Sequence, residues 1–465
     1  MAREARKRRD GASGSSRASG AAKRPAAGRS PRVGLALPGG GRSAAAQRLP
    51  KGEDDERPSA GRSSRIGLAL AGGGPLGAIY EIGALCALEE SLAGLSLTQC
   101  DGYVGVSAGG FIAAALANGI TPRELCRAFI ENEGDASNIL HPGSLMRPAL
   151  GEFAQRLAKL PALLAQATWR YMVQRRSALV AFEHLGRALP TGLFSNRQLE
   201  AQMRRIFSAP GRSNDFRELP RKLVLVATNL DTGEAAPFGQ PGLDHVPISR
   251  AIQASAALPG LFPPVRIDGR DYADGALKKT LHATVLLDAG VDLLICLNPL
   301  VPFDATAAPS HRVMSSGEER IPRLVDGGLP VVLSQTFRSL IHSRLVLGLK
   351  GYERSYPDST IVLFEPDHRD AELFLANTFS YSQRRALAEH AYQQTRHMLR
   401  SRHTALTRQF AAHGIGFDDA VLYDPQRTLL ARRPARRLPT ARAARRLEEV
   451  LNDLDVALAE HALKA

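Results

Sequence analysis

The chain of 465 residues reads as an α/β protein built on a central, mostly parallel sheet. Three observations predict this. From Arg65 onward, short aliphatic or β-branched runs alternate with stretches of helical apolar spacing. Two of the runs end in glycine-rich turns, GGGPLG at Gly72–Gly77 and GVSAG at Gly105–Gly109, of the kind that joins a strand to a helix. A hydrophobic content of 44% over this length is enough to bury a large core.

The elements follow in order. IGLAL (Ile66–Leu70) is a strand, and Ile79, Ile82, Leu85, Cys86 and Leu88 are spaced to line one face of a helix over 78–92. GYVGV (Gly102–Val106) is the next strand and 108–118 the next helix, so the start is a βαβα unit with right-handed crossovers. Residues 133–221 interrupt the alternation and read as a helical insertion, a candidate lid. KLVLVATNL (222–230) is a strand followed by the turn DTGE, and a strand pair brackets RIDGRDYADGAL. The run VLLDAGVDLLICLNPLVPF contains Asp288 and Asp292, so it reads as helix end, turn and buried strand at 292–298 rather than a membrane span. Residues 65–300 form the expected main α/β domain. The remainder, 301–465, reads as an extension with one strand at 359–366 and then mainly helices from Tyr381, the last of them after the basic run ARRPARRLPTARAARR.

Charge and cysteines bound the setting. The net charge is +14, and roughly +10 of it lies in the first 65 residues. Residues 1–64 are rich in Arg, Ala, Ser, Gly and Pro and poor in aromatics, the composition of a disordered tail. Such a tail suits a solvated role or contact with an anionic surface; with no interleaved aromatics, nucleic acid is not an expected partner. Inside it, PRVGLALPGGGRS (31–43) echoes SRIGLALAGGGPLG (64–77), but no apolar periodicity follows the first copy. Cys86, Cys100, Cys126 and Cys296 form no C-x-x-C pair and read as reduced, buried thiols. No secretory signal or transmembrane run is read, and the expected location is cytoplasmic with peripheral membrane contact.

GVSAG fits the nucleophile elbow G-x-S-x-G, in which a strained strand-to-helix turn presents a serine, here Ser107; a plain glycine turn is the competing reading. GGGPLG also matches G-x-G-x-x-G, but the next strand ends at Ser107 rather than at the acidic residue a dinucleotide site requires. The loop instead suits an oxyanion hole. Pro75 has no N–H, which leaves Gly73, Gly74 and Ala108 as donors. The twelve histidines are scattered, and His245, His282, His342 and His390 read as surface or structural. A carboxylate stands out instead: Asp274 in DYADGAL, at a strand end before Gly275, where an Asx-type turn is the plainer role.

Taken together, G-G-G-x-x-G, G-x-S-x-G and D-G-A, in this order and on strand ends, resemble the patatin-like phospholipases. AIQASAALPGLFPPVRIDGRDYADGAL (Ala251–Leu277) resembles the family's approach to its catalytic aspartate, and STIVLFEPDHRDAELFLANTFSYSQRRALAEHAYQQT resembles the later part of bacterial members. The resemblance implies a three-layer fold and a lipid acyl hydrolase of phospholipase A or lysophospholipase type. Ser107 would be the nucleophile and Asp274 the base of a Ser-Asp dyad. Gly72, Gly73, Gly74 and Ala108 would supply the oxyanion hole, with Gly77, Gly105, Gly109 and Gly275 as motif glycines. No metal and no organic cofactor are expected. The implied partners are a lipid substrate and transient contact with a membrane or lipid-droplet surface. One position departs from the pattern: Leu76 stands where members commonly carry Arg or Lys, which weakens the expectation of a phosphate head group. An acyltransferase using the same acyl-enzyme, and a membrane-associated binding protein with a vestigial dyad, are the alternatives. TWRYMVQRR, with Trp169 and Tyr171, suits an interfacial helix or an ordinary packed one.

Overall fold

The computed structural model describes residues 64–133, 148–172, 189–306, 324–374, 376 and 381–430. The basic tail with its first glycine copy, segments 134–147 and 173–188 of the insertion, and the helix expected after the basic run lie outside the described residues.

The strands are β1 (Ile66–Leu70), β2 (Leu92–Ala93), β3 (Gly102–Val106), β4 (Lys222–Asn229), β5 (Ala235–Phe238), β6 (Val265–Ile267), β7 (Arg270–Asp274), β8 (Leu293–Leu297), β9 (Thr360–Phe364) and β10 (Gly416–Phe417). The helices are α1 (Gly74–Ser91), α2 (Ala108–Ala117), α3 (Pro122–Cys126), α4 (Leu150–Met172), α5 (Arg197–Phe207), α6 (Ile248–Ser255), α7 (Thr284–Leu287), α8 (Gly328–Ser355), α9 (Ala371–Phe374), α10 (Tyr381–Ser401), α11 (His403–Ala411) and α12 (Asp419–Tyr423).

The main sheet runs β6-β7-β4-β3-β1-β8-β9, with β5 also on β4. The pairs β4–β3, β3–β1, β1–β8 and β8–β9 are parallel, while β5, β6 and β7 join antiparallel at one end. Strand side chains alternate between two cores. Leu68, Leu70, Tyr103, Leu225 and Ile295 face one layer with α1, α2, α6 and α10. Ala69, Val104, Val106, Val226 and Cys296 face the other with α7 and α8. The result is the expected three-layer α/β arrangement, because a parallel sheet must be covered on both faces.

Three expectations need correction. Helix α1 starts at Gly74, not near 78, because Pro75 sits in its first turn, where a missing N–H costs nothing. It is buried nearly all round rather than on one face, lying between the sheet and α10. The contact with α10 is close: a Cβ on Gly83 would fall 2.5 Å from the Ala388 carbonyl oxygen. Finally, the sheet does not end near residue 300. The 28-residue helix α8 precedes the strand read at 359–366, and that strand, β9, is a full parallel member beside β8.

Within the insertion, α4 carries Phe153, Leu157, Leu164 and Tyr171 at helical spacing along one face, and all four are exposed. Trp169 is exposed as well, on a different side. Helix α8 likewise buries Ile341, Leu345 and Tyr352 and exposes Leu329, Leu333, Leu340 and Leu347. No described helix is long and apolar enough to cross a membrane. All four cysteines are buried and unpaired.

Candidate active site

The site forms where β1 and β3, neighbours in the sheet, each release the chain into a helix. After Leu70 the chain turns through Gly72 and Gly73 into α1, whose first residue Gly74 has φ 61°. That left-handed value favours glycine. A Cβ on Gly72 would stand 3.0 Å from the Ser107 Cβ, so the loop presses against the elbow. After Val106 the chain reaches Ser107 at φ 53° and ψ −122°, then enters α2 directly. This conformation costs a non-glycine residue about 1–3 kcal/mol and is the strained turn the motif foretold. Gly109 holds it down: a Cβ there would lie 2.4 Å from the Ala71 carbonyl oxygen. Two helix N-termini, at Gly74 and Ala108, therefore open at adjacent strand ends. First-turn N–H groups have no partner within their own helix and carry the positive end of the helix dipole.

Asp274 arrives from the other side. It is the last residue of β7 and opposes Ala227 of β4, while Val226 opposes Val106 of β3. The register thus brings the ends of β3 and β7 to the same level, with β4 between them. Asp274 is 3% exposed and Ser107 6%. Burial pushes the Asp274 pKa up from 3.8 to about 6, while hydrogen bonds from the Ala276 N–H and the Ser107 side chain pull it back down. The Asx-type turn is present too: Asp274 Oδ1 accepts from the Ala276 N–H at 2.9 Å. The two roles coexist, because a carboxylate has two oxygens and several lone pairs. Gly275 follows with no room for a side chain, since its Cβ would lie 2.1 Å from the Val226 carbonyl oxygen.

Several supporting groups escaped the sequence reading. Ser255, at the end of α6, accepts from the Ser107 backbone N–H at 2.8 Å and donates to the Val226 carbonyl at 2.6 Å. The Asp274 N–H donates to the Ala257 carbonyl at 3.0 Å, and Thr228 Oγ1 donates to the Asp274 carbonyl at 3.0 Å. Ser255 and Ala257 lie in the quoted stretch before Asp274, but nothing in their types marks them there. His282 is buried behind the loop with Nε2 3.5 Å from the Gly275 carbonyl, and burial lowers its pKa to about 4. His245 pairs with Asp268, and His390 with Asp370. Among the described residues no histidine hydrogen-bonds Ser107 or Asp274. Leu76, at the departing loop position, lies in the first turn of α1 and is buried in the core.

Segment 189–194 runs along 260–262, with Leu193 N–H on the Gly260 carbonyl at 3.1 Å and Phe194 N–H on the Leu261 carbonyl at 2.8 Å. This pairing lies just past Ala257, which holds Asp274. Leu189, Leu193 and Leu261 are exposed along it.

Comparison with known proteins matches residues 68–287 to the model of the patatin-like phospholipase family. Uncharacterized NTE family proteins of Mycobacterium tuberculosis and Mycobacterium bovis are 36% identical over 81 residues, which is 17% of this chain and 21% of each relative. The chain thus matches about a fifth of the length of these curated relatives. Among solved structures, VipD from Legionella pneumophila aligns over 73% of this chain and 67% of its own, at 18% identity and a TM-score of 0.34. Full-length ExoU in complex with SpcU, from the type III secretion system of Pseudomonas aeruginosa, aligns over 64% of this chain and 59% of its own, at 16% identity and a TM-score of 0.25. The fold described above rests on strand order and core, not on these two likenesses. With elbow, glycine loop and aspartate turn all inside the matched span, the chain carries a patatin-like phospholipase domain at residues 68–287.

Proposed function

We propose that the chain is a lipid acyl hydrolase that cleaves fatty-acyl esters through a Ser107–Asp274 dyad. The observation that carries this reading is the pairing of a serine held in a strained elbow with a buried carboxylate whose pKa is pushed up to about 6. A serine hydroxyl is a weak nucleophile until a neighbour takes its proton, and a carboxylate near pH 6 is a better base than an ordinary aspartate. Ser107 Oγ attacks the acyl carbonyl as its proton passes to Asp274. The oxyanion is met by N–H groups of Gly73, Gly74 and Ala108 at the two helix N-termini. Asp274 returns the proton to the departing alcohol. Water then loses a proton to Asp274 and attacks the acyl-serine, and Asp274 returns that proton to the departing Ser107 Oγ as the fatty acid is released.

The exposed apolar stripe of α4 and the exposed leucines 189, 193 and 261 support contact with a lipid surface, where an acyl chain enters as the 189–194 segment parts from 260–262. With Leu76 buried and apolar, no charge at that position assists a phosphate, which favours neutral esters as substrates.

The test is fatty-acid release from a lysophospholipid and a neutral acyl ester by wild type, Ser107→Ala and Asp274→Asn. Loss of about a hundredfold or more in both variants supports the dyad. Equal rates in all three proteins sink it, and binding without turnover then becomes the function.

A further inference from the structure

Three side chains outside the acyl chemistry converge where β8, β9 and α8 meet. These are His342, Glu365 and His368, one donor atom from each lying within 4.8 Å of the other two. His342 Nε2 is 3.6 Å from Glu365 Oε2. The two imidazoles meet edge to face, with centroids 5.0 Å apart and planes at 88°. All three residues are partly buried. His342 stands on α8, while Glu365 and His368 lie three residues apart just after β9, so the three meet only where helix and strand end dock.

Their outer contacts are those of ligands held in place. His368 Nδ1 lies 3.0 Å from the Pro302 carbonyl oxygen. A carbonyl only accepts, so Nδ1 carries the hydrogen, and in the neutral ring Nε2 keeps its lone pair. Asn298 Nδ2 donates to Glu365 Oε2 at 3.3 Å. A backbone carbonyl behind an imidazole and a hydrogen bond to the carboxylate are the supports that fix tautomer and orientation in metal sites. Helix α8 is itself tied to the same corner: Gln335 accepts from the Phe303 N–H at 3.1 Å and donates to the Phe303 carbonyl at 2.8 Å.

We propose that His342, Glu365 and His368 bind one divalent transition-metal ion of the zinc class, with a fourth position left to water. Two imidazole nitrogens and one carboxylate are a donor set for zinc and its borderline neighbours, not for calcium or magnesium. Bonds of about 2.0–2.1 Å in a tetrahedron put ligand atoms about 3.4 Å apart, so the site contracts by about 1 Å on loading. A simple His342–Glu365 ion pair accounts for the 3.6 Å contact but not for a His368 ring nitrogen within 4.8 Å of both.

The site has a path to the glycine loop. Asn298, which holds Glu365, is followed by Pro299, and a Cβ on Gly73 would stand 2.8 Å from the Pro299 ring. Loading therefore stiffens the corner that backs Gly73. The metal ligands are positioning residues here, remote from the reacting atoms.

The full chain, stripped with a chelator, is titrated with Zn²⁺ against a chromophoric competitor, and with Co²⁺ by visible absorption. One equivalent should bind with submicromolar affinity, give the intense d–d bands of a four-coordinate site, and raise the melting temperature. His342→Ala and His368→Ala should each lower affinity about 100-fold or more and abolish the bands, while His245→Ala leaves both unchanged. Melting curves of the stripped variants identify any that fail to fold, for which His342→Gln and His368→Gln replace them. Wild type that takes up no stoichiometric ion, or folded variants that keep it, overturns the proposal.

Discussion

Ser255 Oγ lies between the elbow and the sheet: it accepts the Ser107 N–H at 2.8 Å and passes its own hydrogen to Val226. The strained turn is thus anchored to β4 by a buried hydroxyl. Ser255→Ala leaves the Ser107 N–H without a partner in a dry site, a loss of about 1–3 kcal/mol. We expect a melting temperature lower by several degrees and a fall in kcat with little change in KM, since the hydroxyl does not touch substrate. Retained kcat in a destabilised protein would limit Ser255 to folding.

If the proposed dyad operates, Asp274 should govern the pH profile. With its pKa at about 6, kcat/KM for a soluble ester should rise tenfold per unit below that value and level off above it. The same shift acts on stability. The folded group ionises at about 6 and the unfolded one near 3.8, so between these values the native state binds the extra proton and stability falls as pH rises. Above pH 6 the full cost, up to about 3 kcal/mol, is present. Asp274→Asn should therefore melt higher than wild type at pH 8 and level with it near pH 3.5, while losing activity. Thermal scans at the two pH values decide this.

Glu81 lies fully buried in α1 with neither carboxylate oxygen hydrogen-bonded among the described residues, and burial raises its pKa well above 4.5. Burial therefore favours its neutral form in the folded state, and stability should fall as pH rises above the unfolded value of about 4.5. Glu81→Gln removes that slope. Urea titrations at pH 5 and pH 8 should differ less for the variant than for wild type.

Gly275→Ala forces a methyl to 2.1 Å from the Val226 carbonyl oxygen, backbone against backbone. Expression of folded protein should drop sharply, with a loss above about 3 kcal/mol. By contrast Gly74→Ala meets no atom within 4 Å and is strained only through its φ of 61°, so it should cost about 1 kcal/mol. Denaturant midpoints of the two variants measure the difference.

The α4 stripe predicts the response to lipid. Leu157→Ser with Leu164→Ser should weaken binding to anionic vesicles at least about tenfold, judged by sedimentation, and leave hydrolysis of a short soluble ester unchanged. Equal sedimentation would move the docking face elsewhere.

Much of this was legible in the chain itself. Ser107, the glycine loop and Asp274 could be read because each is a rare type at a strand end, and alternating aliphatics gave β1, β3, β4 and β8. Ser255 could not, since a serine after a helix has no spacing that marks its partner. Helix α8 was missed because its apolar residues lie on both faces, one packed on the sheet and one exposed, which blurs the periodicity. The meeting of His342 with His368 depends on how β9 and α8 dock, which no local pattern encodes.

The position of β9 has a consequence for how the protein is made. Central strand β1 emerges from the ribosome early, yet its neighbour β8, and β9 beyond that, come from far later in the chain. At typical rates of synthesis, roughly 15–60 s separate Leu70 from Phe364. Through that interval the edge of β1 and the face of α1 that α10 will cover stand open on the nascent chain. A gene cut at the end of the matched domain would leave that edge open for good.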